Sequence, residues 1–316
     1  MSVRSVRPAG AASGRGMMEP RTNQRSGITL LLFFGGLFLL FFGLVVSAAT
    51  VLGGRAPGGP AVGVVELKGT IEDARRTMEA MRTFVEDEEI KGIVVRVDSP
   101  GGSVGPTQEI YREVLRARAK KKVVASLAGV AASGGYYAIC GADRIIANPG
   151  TLTGSIGVIT EIAHVEGILE LLHIETESFK SGELKDSGSP LRSPTDADRN
   201  LFTGLVANVH QQFQQAVQKE RKLSEEMMAK IQDGRVLTGE QAKDLGLVDD
   251  LGNLHDAVGV LQELAGIEGR PRLVYPGKKA EEFLKELIDK GVAGTARALT
   301  ERLMPRVEYR MPSRFR

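Results

Sequence analysis

Ser133 stands in the string Ala131-Ala132-Ser133-Gly134-Gly135-Tyr136-Tyr137-Ala138, where one serine precedes two glycines and an apolar segment suited to a buried helix. The strand-like run Val123 to Leu127 leads into it. Such a strand, turn and helix hold the hydroxyl at a helix head, where free backbone N–H groups and the helix dipole favour negative charge. Two readings follow from the octapeptide: a nucleophile, or an N-cap serine in a glycine-rich turn.

A nucleophilic serine needs a base. The four histidines, His164, His173, His210 and His255, all fall in stretches that read as helix, two of them in a helix starting at Glu161. None sits in a turn with other polar groups. Lysine is the alternative, although at pH 7 a free side chain of pKa near 10.4 is neutral in only about one molecule in 2,500. Burial against apolar groups and glycine-rich backbone brings that value toward the range where the amine accepts a serine proton. Cys140, the single cysteine, lies in the apolar run after Ser133 and reads as core, not as a thiol nucleophile.

Two further glycine elements follow strands or lie near them: Ser99-Pro100-Gly101-Gly102 and Thr153-Gly154-Ser155-Ile156-Gly157. Neither fits a phosphate-binding G-x-x-x-x-G-K-[ST] loop or a dinucleotide fingerprint. Gly101-Gly102 can serve tight-turn packing, or can point bare N–H groups at a developing oxyanion.

The elements that must carry these groups are legible in the spacing. Val62 to Leu67, Gly92 to Val97 and Val123 to Leu127 are β-branched runs that recur at about 30 residues, the length of a βαβ unit. Runs rather than alternation suit a sheet covered on both faces. Helices are expected over the Ile71-Ala74-Met78-Met81-Val85 face, Thr107 to Lys121 and Glu161 to Leu172. Shorter strands are expected at Arg144 to Ala147, Ile156 to Thr160 and Ile174 to Phe179. Thr195 with Asp198 and Thr238 with Gln241 carry the spacing of capping boxes and start two more helices. Leu254 to Leu264 and Glu281 to Leu303 read as the last helices, and Pro305 to Arg316 as a basic tail.

The 316 residues are 42% hydrophobic and 25% charged, with a net charge of +2, so no overall field recruits nucleic acid. A single cysteine excludes an intramolecular disulfide. With four scattered histidines, it also supplies no ligand set for a structural zinc. Residues 1–27, rich in Gly, Ser, Pro and Arg, read as disordered. Ile28 to Leu52 contains no charged residue. As a helix it spans roughly 37 Å, enough to cross a hydrocarbon layer of about 30 Å. The five arginines before it predict a cytoplasmic N-terminus, with the rest of the chain across the membrane. A cleavable signal peptide is the rival, and its apolar region is shorter than this one. Residues 53–60 form a linker, 61–270 the main domain and 271–316 a C-terminal helix and tail.

Five strings occur in order: Asp98-Ser99-Pro100-Gly101-Gly102-Ser103, Ala132-Ser133-Gly134-Gly135-Tyr136-Tyr137, Thr153-Gly154-Ser155-Ile156-Gly157-Val158, Lys180-Ser181-Gly182-Glu183-Leu184-Lys185-Asp186 and Asp233-Gly234-Arg235-Val236-Leu237-Thr238-Gly239. Over about Val62 to Gly252 the chain thereby resembles the signal peptide peptidase A family of membrane-bound Ser/Lys proteases, peptidase family S49. The resemblance implies an α/β fold of the ClpP/crotonase type, built of repeated ββα units and preceded by one transmembrane helix. It implies Ser133 as nucleophile, Lys185 as general base and Ser155 as the residue that orients the lysine. Gly101, Gly102 and Gly134 match the oxyanion-hole region. No metal or cofactor is implied. The expected partners are cleaved signal peptides and other hydrophobic or unfolded peptides, the lipid bilayer and further copies of the chain, which close a chamber. The expected location is the bacterial cytoplasmic membrane, with the catalytic domain outside the cytoplasm. A crotonase-like enzyme acting on acyl-CoA and a non-catalytic or partner-specific membrane scaffold are the alternatives on the same fold.

Overall fold

The computed structural model describes residues 34–43, residues 59–277 and the backbone of 307–310. Residues 34–43 form a helix, α1, within a unit that is separate from the one running from Gly59 onward. Its large side chains, Phe34, Leu37, Phe38, Leu39, Leu40, Phe41 and Phe42, are exposed. The described residues contain no helix long and apolar enough to cross a membrane. The remainder of the expected 28–52 span, and the expected helix Glu281 to Leu303, lie outside the described residues.

The second unit is built on a parallel sheet. Its strands are β1 (Ala61–Lys68), β2 (Ile90–Ser99), β4 (Lys122–Ala132), β5 (Arg144–Ala147), β9 (Asp250–Leu251) and β10 (Arg272–Val274), in the order β10-β1-β2-β4-β5-β9. Every neighbouring pair in that order is parallel. Crossover helices α2 (Arg75–Glu86) and α3 (Val104–Arg118) link the first three strands, which accounts for the 30-residue recurrence. Alternate residues serve opposite faces. Ile93, Val95, Val97, Val123, Ala125 and Leu127 pack toward Met81, Phe84, Ile110, Val114 and Phe213, whereas Val62, Val64, Val94, Val124 and Ile146 pack against Ala257 and Leu261. The last two lie on α9 (Leu254–Ala265), so the sheet is sandwiched between helices and its strands read as apolar runs.

β4 is the element on which the site turns. Its first half, Val124 to Leu127, pairs with β5, and its last residues, Val130 to Ala132, pair instead with β6 (Leu152–Gly154). β8 (Val236–Thr238) closes that edge antiparallel to β6. After β4 comes the short helix α4 (Gly134–Ile139), wholly buried. Tyr136 donates its hydroxyl to the Leu247 carbonyl at 2.7 Å, and Tyr137 stacks on Phe213 with ring centroids 4.7 Å apart. Phe213 lies on α6 (Asp196–Arg221), which is followed by the short α7 (Glu225–Ala229). α6 and α8 (Gly239–Asp244) both begin with the expected reciprocal capping boxes, Thr195/Asp198 and Thr238/Gln241.

A second, three-stranded sheet has the order β3-β11-β7: β3 (Gly101–Ser103), β11 (Val307–Arg310) and β7 (Ile159–Thr160). β11 runs antiparallel to both flanking strands, so four residues expected to be plain tail are a strand. Other expectations change as well. The strand over Ile156 to Thr160 shrinks to β7, and the helix from Glu161 shrinks to α5 (Glu166–Leu171). His164 is therefore in a loop, and His173 follows the helix in a turn with φ of 54°. Ile174 to Phe179 forms no strand. Among the described residues no sheet edge pairs with it, and Phe179 is 89% exposed. β10 extends the main sheet beyond residue 270.

Candidate active site

Ser133 sits between the end of β4 and the head of α4, with φ of 53° and ψ of −120°. Positive φ in a non-glycine residue carries a steric cost and persists only where the surroundings over-determine it. Here they do. The Ser133 N–H donates to the Gly154 carbonyl at 2.9 Å, and the Ser133 carbonyl accepts from Tyr136 and Tyr137 at the start of the buried helix. Its hydroxyl makes no capping bond, and its Oγ is buried without a hydrogen-bond partner. The N-cap reading thus lacks the bond that defines it. A buried hydroxyl left unpaired forgoes the free energy that folding ordinarily secures for polar groups.

Ser155 is brought beside it by the β4–β6 pairing, in which Ala132 lies opposite Gly154. It too has positive φ, 50°, and is 4% exposed. Its N–H donates to the Arg235 carbonyl at 2.8 Å, which ties the third and fifth sequence strings together. Thr153 donates its hydroxyl to the Ala131 carbonyl at 2.7 Å and locks the two strand ends.

The two glycine candidates of β3 are not equivalent. The Gly101 N–H donates to Ser99 Oγ at 3.2 Å, which in turn donates to the Gly69 carbonyl at 2.6 Å. Gly102 is left as the oxyanion candidate of the pair. A Cβ at Gly102 would come within 2.2 Å of the Ile71 carbonyl oxygen, so only glycine fits. Gly134 opens α4, where first-turn N–H groups have no acceptor within the helix. Ser99, buried and bonded to the Gly69 carbonyl and the Gly101 N–H, ties the start of β3 in place, and the sequence reading does not single it out. Its place inside the Asp98–Ser103 string is the available signal.

Lys185 is not brought to these groups within the chain. It lies in a 3₁₀ turn, Glu183–Asp186, and is exposed. Among the described residues its amine makes no hydrogen bond or ion pair with Ser133, Ser155 or any other group. The histidines do not replace it. His210 bonds the Ile156 carbonyl at 3.1 Å and His164 the Arg192 carbonyl at 3.1 Å. Cys140 is fully buried and its thiol is pushed far above the ordinary range by burial, consistent with core. A cavity of about 250 Å³ lies beside β7, lined by Thr160, Ile162, His164, Arg192, Asp198 and Phe202 among others, but not by Ser133, Ser155 or Lys185.

The model of peptidase family S49 matches residues 116–268, a span holding Ser133, Ser155 and Lys185, and that of Clp protease matches residues 63–150. A Synechocystis protein, slr0021, named as a protease, is 39% identical over 206 residues, covering 65% of this chain and 74% of its own length. The chain belongs to peptidase family S49. A second relative, MJ0651 of Methanocaldococcus jannaschii, also named as a protease, is 34% identical over 67% of this chain and 68% of its own. An Enterococcus faecium protein named as the signal peptide peptidase SppA is 36% identical over 58% of this chain and 54% of its own. Among solved structures, a point mutant of ClpP1 from Listeria monocytogenes covers 62% of this S49 chain and 94% of its own, at 16% identity and a TM-score of 0.42. The Clp protease match falls on the parallel sheet, so the α/β core is ClpP-like, and by its family the chain is a peptidase.

Proposed function

We propose that the protein is a membrane-anchored serine endopeptidase in which Ser133 is the nucleophile and Lys185 the general base. The observation that carries this reading is the orphaned Ser133 hydroxyl, held in a strained turn between the end of β4 and the head of α4. The neutral Lys185 amine takes the Ser133 proton as Oγ attacks a peptide carbonyl. Gly102 and Gly134 N–H groups face the resulting oxyanion, and Ser155 orients the lysine. The lysine ammonium then returns its proton to the departing amine. Water, deprotonated by the same lysine, releases the acyl group and restores the Ser133 hydroxyl.

The lysine is supplied by a neighbouring copy of the chain. Two features support this: Lys185 is exposed and unpaired, and Ile168, Leu171, Leu172, Ile174 and Phe179 expose apolar side chains on the segment that leads to it. Large apolar side chains exposed along one segment suit burial against another protein surface. Substrates are extended, hydrophobic peptides such as released signal peptides. The pairing of β11 supports that class, because it lies antiparallel between β3 and β7 and against α4, as an extended ligand backbone would. The 28–52 span anchors the chain in the cytoplasmic membrane with residues 1–27 in the cytoplasm.

The test is subunit complementation on the full chain. Ser133→Ala and Lys185→Ala, each inactive on a quenched-fluorescence peptide, should regain activity when unfolded together and reassembled. Full activity of either variant alone overturns the dyad. Failure of the mixture to recover, with wild type recovering under the same treatment, overturns the shared site.

A further inference from the structure

The segment bearing Lys185 has little core of its own, yet it is fastened on both sides of the lysine. Lys180 donates to the Glu183 carbonyl at 3.1 Å and to Asp186 Oδ1 at 2.7 Å. Arg192 grips Asp186 from the other side, with Nε to Oδ2 and Nη2 to Oδ1 both at 2.9 Å. The same guanidinium reaches α6, donating from Nη1 to Asp198 Oδ2 at 2.6 Å and from Nη2 to Oδ1 at 3.2 Å. Asp198 is 1% exposed and belongs to the capping box, accepting from the Thr195 N–H and hydroxyl at 2.9 Å each. Ser187, next after Asp186, also donates to Asp198. Arg192 thus bridges the carboxylate beside the lysine to the buried start of α6.

The clamp has an electrostatic consequence as well as a mechanical one. The charged groups of the clamp are Lys180 and Asp186 on the segment of Lys185, Arg192 on the following loop and Asp198 on α6; Glu183 is two residues before the lysine, and Glu166 and His164 bond the Ser193 N–H and the Arg192 carbonyl beside the clamp. Lys180, Arg192, Asp186 and Asp198 sum to zero. Both oxygens of Asp186 are engaged, so the carboxylate adjacent to Lys185 in the chain is withheld from its amine. A free carboxylate there would pair with the ammonium and stabilise the protonated form, the wrong form for a base. Asp186 and Asp198 are both held well below the ordinary carboxylate range, chiefly by hydrogen bonds from Arg192.

We propose that Arg192 is a positioning residue for the lysine: it fixes the 3₁₀ turn to α6 and sequesters Asp186, so that the carboxylate adjacent to Lys185 in the chain does not pair with its amine. This rests on Lys185 being the base. The test is the pH dependence of kcat/KM on a quenched-fluorescence peptide, with the full chain as wild type, Lys185→Ala, Arg192→Gln, Arg192→Lys and Arg192→Gln/Asp186→Asn. With Arg192→Gln the clamp carries a net negative charge, and the acid limb should move up by about one pH unit. Arg192→Lys should keep the limb near its wild-type position. The double variant, with the released carboxylate gone, should return it toward wild type although activity stays low. A limb that stays in place in Arg192→Gln, or one that the double variant does not return, overturns the proposal while an inactive Lys185→Ala leaves the dyad standing. An active Lys185→Ala overturns the dyad instead. Complementation separates position from general damage. Arg192→Gln should fail when it is carried on the Ser133→Ala chain that donates the lysine, and succeed on the Lys185→Ala chain that donates the serine. Equal loss in both arrangements overturns the positioning role.

Discussion

The two halves of the candidate site are held by different physics. Around Ser133 the turn is over-determined: paired strand ends, a buried helix, Tyr136 bonded to Leu247 and Tyr137 stacked on Phe213. That packing holds a positive φ and an unsatisfied hydroxyl. Around Lys185 there is no such core, and order comes from charge-assisted bonds between Lys180, Asp186, Arg192 and Asp198. A nucleophile must be rigid before its substrate arrives, and a packed interior provides that. For a base delivered to another copy, as proposed, the side chain must stay exposed until assembly, and an ion-pair network orders its segment without burying it.

The largest expected effects test whether both halves serve one reaction. Ser133→Ala and Lys185→Ala should each lower peptide hydrolysis by on the order of 10³–10⁶-fold. Loss in one and not the other breaks the comparison at once. Stability separates them from core damage: Lys185→Ala should shift unfolding by within about 0.5 kcal/mol in a urea titration.

Gly102→Ala comes next. Its methyl would collide with the Ile71 backbone, so kcat should fall by about 10²-fold or more, with a loss of about 1–3 kcal/mol in stability. Normal kcat with lowered stability removes Gly102 from the oxyanion hole and leaves it as packing only.

A pair of phenylalanines then sharpens the contrast between the regions. Phe213→Ala, in the core under α4, should cost about 3–5 kcal/mol. Phe179→Ser, on the lysine segment, should leave subunit stability within about 0.5 kcal/mol and lower the assembly size in size-exclusion chromatography. A large destabilisation of the isolated subunit by Phe179→Ser contradicts its exposure. The smallest effect concerns β11. Deleting residues 307–316 should lower KM for a peptide by about 3–10-fold, because that strand and the peptide compete for the edges of β3 and β7. An unchanged KM moves the peptide cleft elsewhere.

Legibility in the sequence follows the same division. The parallel sheet is readable because burial on both faces turns strands into β-branched runs with a constant spacing. Capping boxes at Thr195 and Thr238 are readable because they are local. The strand expected at Ile174 to Phe179 fails because apolar residues that face solvent in one subunit look like core in a string of letters. The shortened α5 and the strand β11 depend on which sheet edges are open, and no periodicity records that. Arg192 has no signal of its own, since its partners lie six residues away on either side in irregular backbone and at a helix start.

What the sequence by itself determined was the chemical inventory and its order: serine before glycines, a glycine pair after a strand, a lysine in a polar turn. These follow from residue type and local spacing, which act over a few residues. What only the tertiary structure decided was how the inventory is arranged. Ser133 and Ser155 are neighbours because β4 exchanges β5 for β6. Gly102 rather than Gly101 is the oxyanion candidate because Ser99 takes the Gly101 N–H. Lys185 stands apart from all of them, its segment clamped and its amine unpaired. Long-range pairing and packing settle such matters, since each depends on partners far away in the chain.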